Sequence, residues 1–168
     1  MKEFIDKISS YNLFNYLFPG ILYVIILKEI TSYNIVQDNL ILGVFLYYFI
    51  GLVISRFGSL IIEPLLKKLK IVSFIDYSDF INASKNDNKI EIFSEINNMY
   101  RTLVSLFFVV FLSKLYQVLV NNFIICNLFL PYLLVFLIFI IFLFSYRKQT
   151  KYIVDRVDHF KKGNKINE

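Results

Sequence analysis

Residues 39–62 read NLILGVFLYYFIGLVISRFGSLII, 24 positions with a single charge, Arg56. A helix over this run is about 36 Å long at 1.5 Å per residue, against a bilayer hydrocarbon core of roughly 30 Å. Two more runs of the same kind follow at 102–120 and 128–146. A fourth, Leu13 to Leu27, is shorter, about 22 Å before it meets Lys28. It spans only if it extends over 13–30 on one side and toward Tyr11 and Ser10 on the other, since tyrosine and small polar groups are tolerated in the headgroup zone. The other reading is a re-entrant or interfacial segment broken at Pro19-Gly20. The predicted fold class is therefore all-α: an integral membrane protein with four transmembrane helices, or three plus a re-entrant segment, and cytoplasmic helical extensions.

Composition agrees. Of 168 residues, 57% are hydrophobic and 18% charged, where soluble domains carry about 25% charged residues. The mean hydropathy is +0.60. A small globule buries only about two-thirds of the surface its chain exposes, so the excess apolar surface must face lipid. One Cys (Cys126) and one His (His159) exclude a disulfide framework and a Cys/His metal cluster. The first residues balance their charges (Lys2, Glu3, Asp6, Lys7), and no small-residue cleavage site follows the first apolar run, so no signal peptide is expected. No Gly-x-Ser-x-Gly elbow, His-Glu-x-x-His pair or phosphate-cradling glycine loop is present, and Asp76, Asp79 and Asp87 have no histidine partner. Neither an enzyme nor a cofactor is expected.

Orientation follows from the cations, which are retained on the cytoplasmic side. With residues 1–12, the 63–101 loop and the 147–168 tail inside, 15 of the 18 Lys and Arg residues are cytoplasmic. Only Lys28 lies outside, while Arg56 and Lys114 fall within spans. The outer connections, 31–38 and 121–127, are short and polar.

Two spans extend past the bilayer as stems. Asn88 with Glu91 has the spacing of a capping box, and Ile92, Ile96, Met99 and Leu103 follow at helical intervals. After the fourth span, Tyr146, Thr150, Ile153, Val157 and Phe160 recur at 4, 3, 4 and 3, the spacing of an apolar seam that packs on another helix. Continuous helices are predicted near 89–120 and 128–160. Between them and the second span, Asp76 is placed to cap a short helix carrying Phe80 and Ile81, with 82–88 as its polar exit.

The densest group of candidate site residues is Gly51, Ser55, Ser59 and Glu63, spaced i, i+4 down one face of the second span, with Arg56 and Gly58 beside it. Small residues at this spacing let helices approach closely; the same face could instead line an aqueous path in an oligomer. Arg56 will not face lipid freely, which leaves snorkelling, pairing with Glu63, or lining a vestibule. Lys114 either snorkels to the outer surface or adds a second pore charge. Lys67, Lys68, Lys70, Arg147, Lys148 and Lys151 form a basic belt suited to anionic lipid, or to an anionic cytoplasmic ligand such as a nucleotide or oligonucleotide.

The run Tyr48 to Arg56, then Gly58-Ser59, Glu63-Pro64, Asn97 to Arg101 and Ser145 to Gln149, resembles a group of small bacterial four-helix membrane proteins over most of the chain. Within that group it is similar to the membrane effectors of Hailong-type anti-phage systems. The resemblance implies a homo-oligomer in the inner membrane that disrupts the bilayer, and a neighbouring nucleotidyltransferase that makes a nucleic-acid-like signal. Two functions are open: a ligand-gated oligomeric channel moved by its cytoplasmic stems, and a non-conducting scaffold that anchors a cytoplasmic partner.

Overall fold

The computed structural model describes residues 10–122 and 124–165, with side chains placed for 11–122, 129–158 and 160. Helix α1 covers residues 10–30, α2 Leu40–Lys68, α3 Tyr77–Asn86, α4 Lys89–Asn122 and α5 Ile124–Lys165, and no strand occurs among the described residues. All but α3 are long and apolar enough to cross a membrane. The expected cytoplasmic segment 1–12 lies mostly outside the described residues.

The break at Pro19-Gly20 in the alternative reading of the first segment, and the loop start at Glu63-Pro64, both give way to continuous helix. Pro19 lies within α1 and Pro64 within α2, and each follows a five-residue π turn, Leu13–Leu17 and Gly58–Ile62. A proline has no N–H to donate, and its ring crowds the carbonyl four residues back. In the π turn the hydrogen bond reaches one residue further: Phe18 N–H donates to the Leu13 carbonyl and Glu63 N–H to the Gly58 carbonyl. The carbonyls of Asn15 and Leu60, the ones the proline rings would strike, lie inside these widened turns. The consequence for α1 is an unbroken helix of about 31 Å, so the re-entrant alternative gives way to a fourth helix of spanning length. For α2 the consequence is two further turns: the loop expected from Glu63 begins only after Lys68, where the chain leaves the helix through Lys70 in the left-handed region at φ 58°.

Helices α2 and α4 form the centre, with α1 packed against both on one side and α5 against both on the other. The α1/α2 crossing is the closest. A Cβ placed on Gly51 would overlap the Tyr16 carbonyl, and one on Gly20 would overlap the Tyr47 carbonyl, so each glycine admits the other helix's backbone. Only a small-residue contact permits this approach. Against α4, Gly58 faces Ser105, and Phe57 stacks on Phe108 at 6.0 Å. Ile54, Leu106, Thr102 and Ser105 are fully enclosed there. Phe49 stacks on Phe142 of α5 at 5.9 Å. Burial is uneven: 39% of the apolar window in α1 is enclosed but only 6% of that in α5, which makes α5 the helix with most uncovered surface.

Several sequence boundaries shift. Helix α3 runs through Asn86, so the polar exit expected over 82–88 shrinks to Asp87 and Asn88; burial of Ile81 and Ser84 against α4 holds the extra turn. Asp76 stands at the N-cap of α3, with its carbonyl rather than its side chain accepting from Phe80 N–H. The cap of α4 is Asp87 rather than Asn88: its carboxylate accepts from Lys89 N–H at 2.9 Å, and its carbonyl from Ile90 N–H at 3.1 Å. An aspartate one residue earlier is the stronger acceptor for the same orphan donors. Most of the connection expected over 121–127 is helical, because α4 ends at Asn122 and α5 resumes at Ile124. The long helices expected at 89–120 and 128–160 are present and slightly longer.

The crossing makes a prediction. Gly51→Val should overpack backbone against backbone and lower the melting temperature in detergent by several degrees or abolish the monodisperse peak, a loss of about 3 kcal/mol or more. Gly43→Ala, whose new methyl would meet only the end of the Tyr47 side chain, at 3.3 Å, should leave both nearly unchanged.

Candidate functional site

Where α2, α4 and α5 reach the end of their apolar stretches, three cations converge on one carboxylate. Glu63 of α2 accepts from Arg101 Nη1 of α4 at 2.7 Å and from Lys67 Nζ, one turn further along α2, at 3.0 Å; Lys148 Nζ of α5 stands 3.7 Å away. The Glu63 side chain is only 10% exposed. The π turn at Gly58–Ile62 sets this geometry, because the extra residue rotates everything after it relative to Gly51 and Ser55.

Lys148 reaches further in. Its Nζ donates to the Ser59 hydroxyl at 2.7 Å and to the Ser59 carbonyl at 2.9 Å. That carbonyl is available because the π turn disturbs the regular i→i−4 ladder around it. One turn deeper, Thr102 donates to Ser55 at 3.2 Å in a buried contact, and Ser105 beside it donates to the Arg101 carbonyl at 2.7 Å. The face Gly51, Ser55, Ser59 and Glu63 is thus distributed among three neighbours: Gly51 on α1, Ser55 on α4, Ser59 on α5 and Glu63 on both α4 and α5. It is enclosed within the chain's own bundle.

Arg56 does not pair with Glu63. Its Nη2 donates to the Tyr16 hydroxyl of α1 at a long 3.4 Å, while Arg101 and the two lysines occupy the carboxylate. Residues 56 and 63 are two turns apart on a straight helix, but the π turn between them breaks the common face. At the opposite end of the bundle, Lys114 donates to the Ile30 carbonyl at 2.7 Å and to Gln117 Oε1 at 3.1 Å, and Gln117 in turn donates to Ser32 at 2.8 Å. Lys114 therefore places a cation on the last carbonyl of α1, where the helix dipole is negative.

The basic belt divides in two. Lys67 and Lys148 belong to the Glu63 cluster; Lys67 also lies over the Phe74 ring at 4.1 Å, and Lys148 faces the Tyr152 ring at 5.8 Å. Lys68, Lys70, Arg147 and Lys151 are exposed outside it. The stem seam is uncovered: Tyr146, Thr150, Ile153, Val157 and Phe160 are all exposed. What packs within the subunit is the neighbouring stripe, where Tyr152 stacks on Tyr77 of α3 at 5.9 Å.

Sequence reasoning missed Arg101, which counted only as one of the loop cations. Glu63 is the sole acidic residue between Asp38 and Asp76, and Arg101 lies at the matching end of the next span. Antiparallel neighbours bring those two ends to one level, so a search for the counter-ion of Glu63 across the loop would have found it. Tyr16, Thr102 and Ser105 carry no comparable signal. The chain matches no protein-family model, no curated protein and no solved structure.

Removing the carboxylate leaves three cations facing one another. Glu63→Ala should destabilise the protein by about 3 kcal/mol, read as a lower melting temperature in detergent, with Glu63→Ala/Arg101→Gln recovering part of the loss. Arg56→Ala, outside the cluster, should cost under about 1 kcal/mol. Equal losses for Glu63→Ala and Arg56→Ala would contradict this assignment.

Proposed function

We propose that this chain is the subunit of an oligomeric effector that permeabilises the bacterial inner membrane in response to a cytoplasmic signal. The observation that carries this reading is the unfinished surface of α5. That helix has 42 residues, about 63 Å of rise and twice the hydrocarbon core, and its stem bears Ile153, Val157 and Phe160 at 57%, 44% and 67% exposure. Lipid covers the part within the bilayer. Beyond it an apolar seam faces water unless another helix covers it, and the stem of a second copy presents the same spacing.

The proposed mechanism runs through the Glu63 cluster. The cluster ties the α5 stem, through Lys148, to α2 and α4 at the membrane boundary. A ligand that moves the stems against one another pulls on Ser59 and Glu63, and the adjoining π turn is the part of α2 whose hydrogen bonds are most easily rearranged. Since the Gly51/Ser55/Ser59 face is enclosed within the subunit, the conducting path of such an effector lies between subunits or opens by rearranging this face. A role in anti-phage defence, with a nucleotide or oligonucleotide signal made by a nucleotidyltransferase encoded nearby, rests on the resemblance of Tyr48 to Arg56, Glu63-Pro64 and Ser145 to Gln149 to such effectors.

The second reading is a non-conducting membrane anchor. It is favoured by the internal satisfaction of Ser55, Ser59 and Glu63, which takes the polar groups of this face of α2 out of reach of a conducting path, and in it the α5 seam holds a cytoplasmic partner.

Two measurements test the proposal. Ile153→Asp with Val157→Asp should lower the subunit number by native mass spectrometry in nanodiscs and, in parallel, abolish dye release from proteoliposomes. An oligomer that releases no dye, with or without lysate from cells carrying the neighbouring genes, would favour the anchor. For orientation, on a Cys126→Ser background, cysteines at Asn34 should react with an impermeant reagent on intact cells, and those at Asn86 should not.

A further inference from the structure

The Glu63 cluster is unbalanced. Arg101, Lys67 and Lys148 bring three positive charges against one carboxylate, and the Arg101 and Lys148 side chains are only 17% and 26% exposed. Two positive charges are therefore left without a counter-ion; Lys67, 44% exposed, is open to solvent, whereas water neutralises Arg101 and Lys148 less well. The donors are also in excess. Arg101 Nε and Ser145 Oγ are buried with no hydrogen-bond partner among the described residues, and Ser145 lies three residues before Lys148, one helical turn away on α5. Buried donors left empty are rare and costly. A group that would answer both deficits carries negative charge and several acceptor oxygens, which describes a phosphate better than a second carboxylate.

The surroundings select the source. On α5, one turn before Lys148 toward the apolar run, Phe144 is an exposed apolar side chain, with exposed Leu143 next to it. A soluble anion has no use for them, whereas acyl chains do. We propose that Arg101, Lys148 and Lys67 hold the phosphate diester of one anionic phospholipid per chain, with its acyl chains along Leu143 and Phe144. The proposal rests on the reading that this end of the bundle lies at a membrane surface, and does not depend on whether the assembly conducts. Glu63 then has two roles: it holds the three cations together, and it limits how tightly the lipid binds by competing for them.

The test is lipid retention. The protein is reconstituted in nanodiscs of phosphatidylcholine and phosphatidylglycerol, extracted into detergent, purified by size exclusion and analysed by native mass spectrometry. One phosphatidylglycerol per subunit should remain on the wild type. It should also remain on the variant carrying Lys68→Gln, Lys70→Gln, Arg147→Gln and Lys151→Gln, which removes the diffuse basic belt. Arg101→Gln and Lys148→Gln should each lower retention about tenfold or more, the effect of one charge-assisted hydrogen bond, while Lys148→Arg keeps it. Should the neutralised variants fail to fold, Glu63→Gln still decides: without the internal competitor, retention in its folded fraction should rise several-fold. Retention lost in the belt variant, or unaffected by Arg101→Gln, Lys148→Gln and Glu63→Gln alike, would overturn the proposal. Displacement of the lipid by millimolar inorganic phosphate would overturn the lipid assignment and give the site to a soluble phosphate.

Discussion

The carboxylate of Glu63 joins α2, α4 and α5 where they leave their apolar stretches, through Arg101 at 2.7 Å, Lys67 at 3.0 Å and Lys148 at 3.7 Å. Helices in a bilayer gain little from the hydrophobic effect when they meet, because lipid tails are as apolar as leucine. Between apolar helices of spanning length, specific contacts must supply the preference for one arrangement, and the ion pairs among the described residues all meet at Glu63 in one network. It also explains the placement of its neighbours. Lys148 reaches Ser59, and Arg101 presents its carbonyl to Ser105, so both serines are satisfied from the same helices that the carboxylate holds.

That network is reachable only because of two local features. Gly20 and Gly51 let α1 and α2 approach to backbone contact, and Gly58 makes room for the Ser105 side chain of α4. The π turns before Pro19 and Pro64 keep two helices continuous where proline would ordinarily stop or kink them. The second π turn has the larger consequence. It carries α2 past Pro64 to Lys68, which places Glu63 and Lys67 on a helix, and it separates Glu63 from Arg56. The same turn is the least regular part of α2 and adjoins the cluster, which is why the proposed coupling between stems and membrane helices is assigned to it.

Helix α5 divides the protein's surface by function. Its inner stripe, including Phe142, Lys148 and Tyr152, completes the bundle. Its outer stripe, from Phe129 to Phe160, carries exposed apolar side chains along its length. The proposals of an oligomeric effector and of a membrane anchor both start from the stem of α5.

Much of the architecture was legible in the chain. The runs at 39–62, 102–120 and 128–146 exceed or approach the length of a span by composition alone, the stems follow from apolar spacing, and the close packing of the Gly51 face was readable as one of two alternatives. These are properties of one helix at a time. The partners were not legible: Arg56 stood seven residues from Glu63 and was the natural choice, yet Arg101 and Lys148, 38 and 85 positions away, hold the carboxylate. Which charges meet depends on how each helix is rotated about its axis and how far it is shifted along its neighbour. Those two quantities are set by glycine-sized contacts between backbones and by a one-residue widening of a turn, and both arise only when the helices pack.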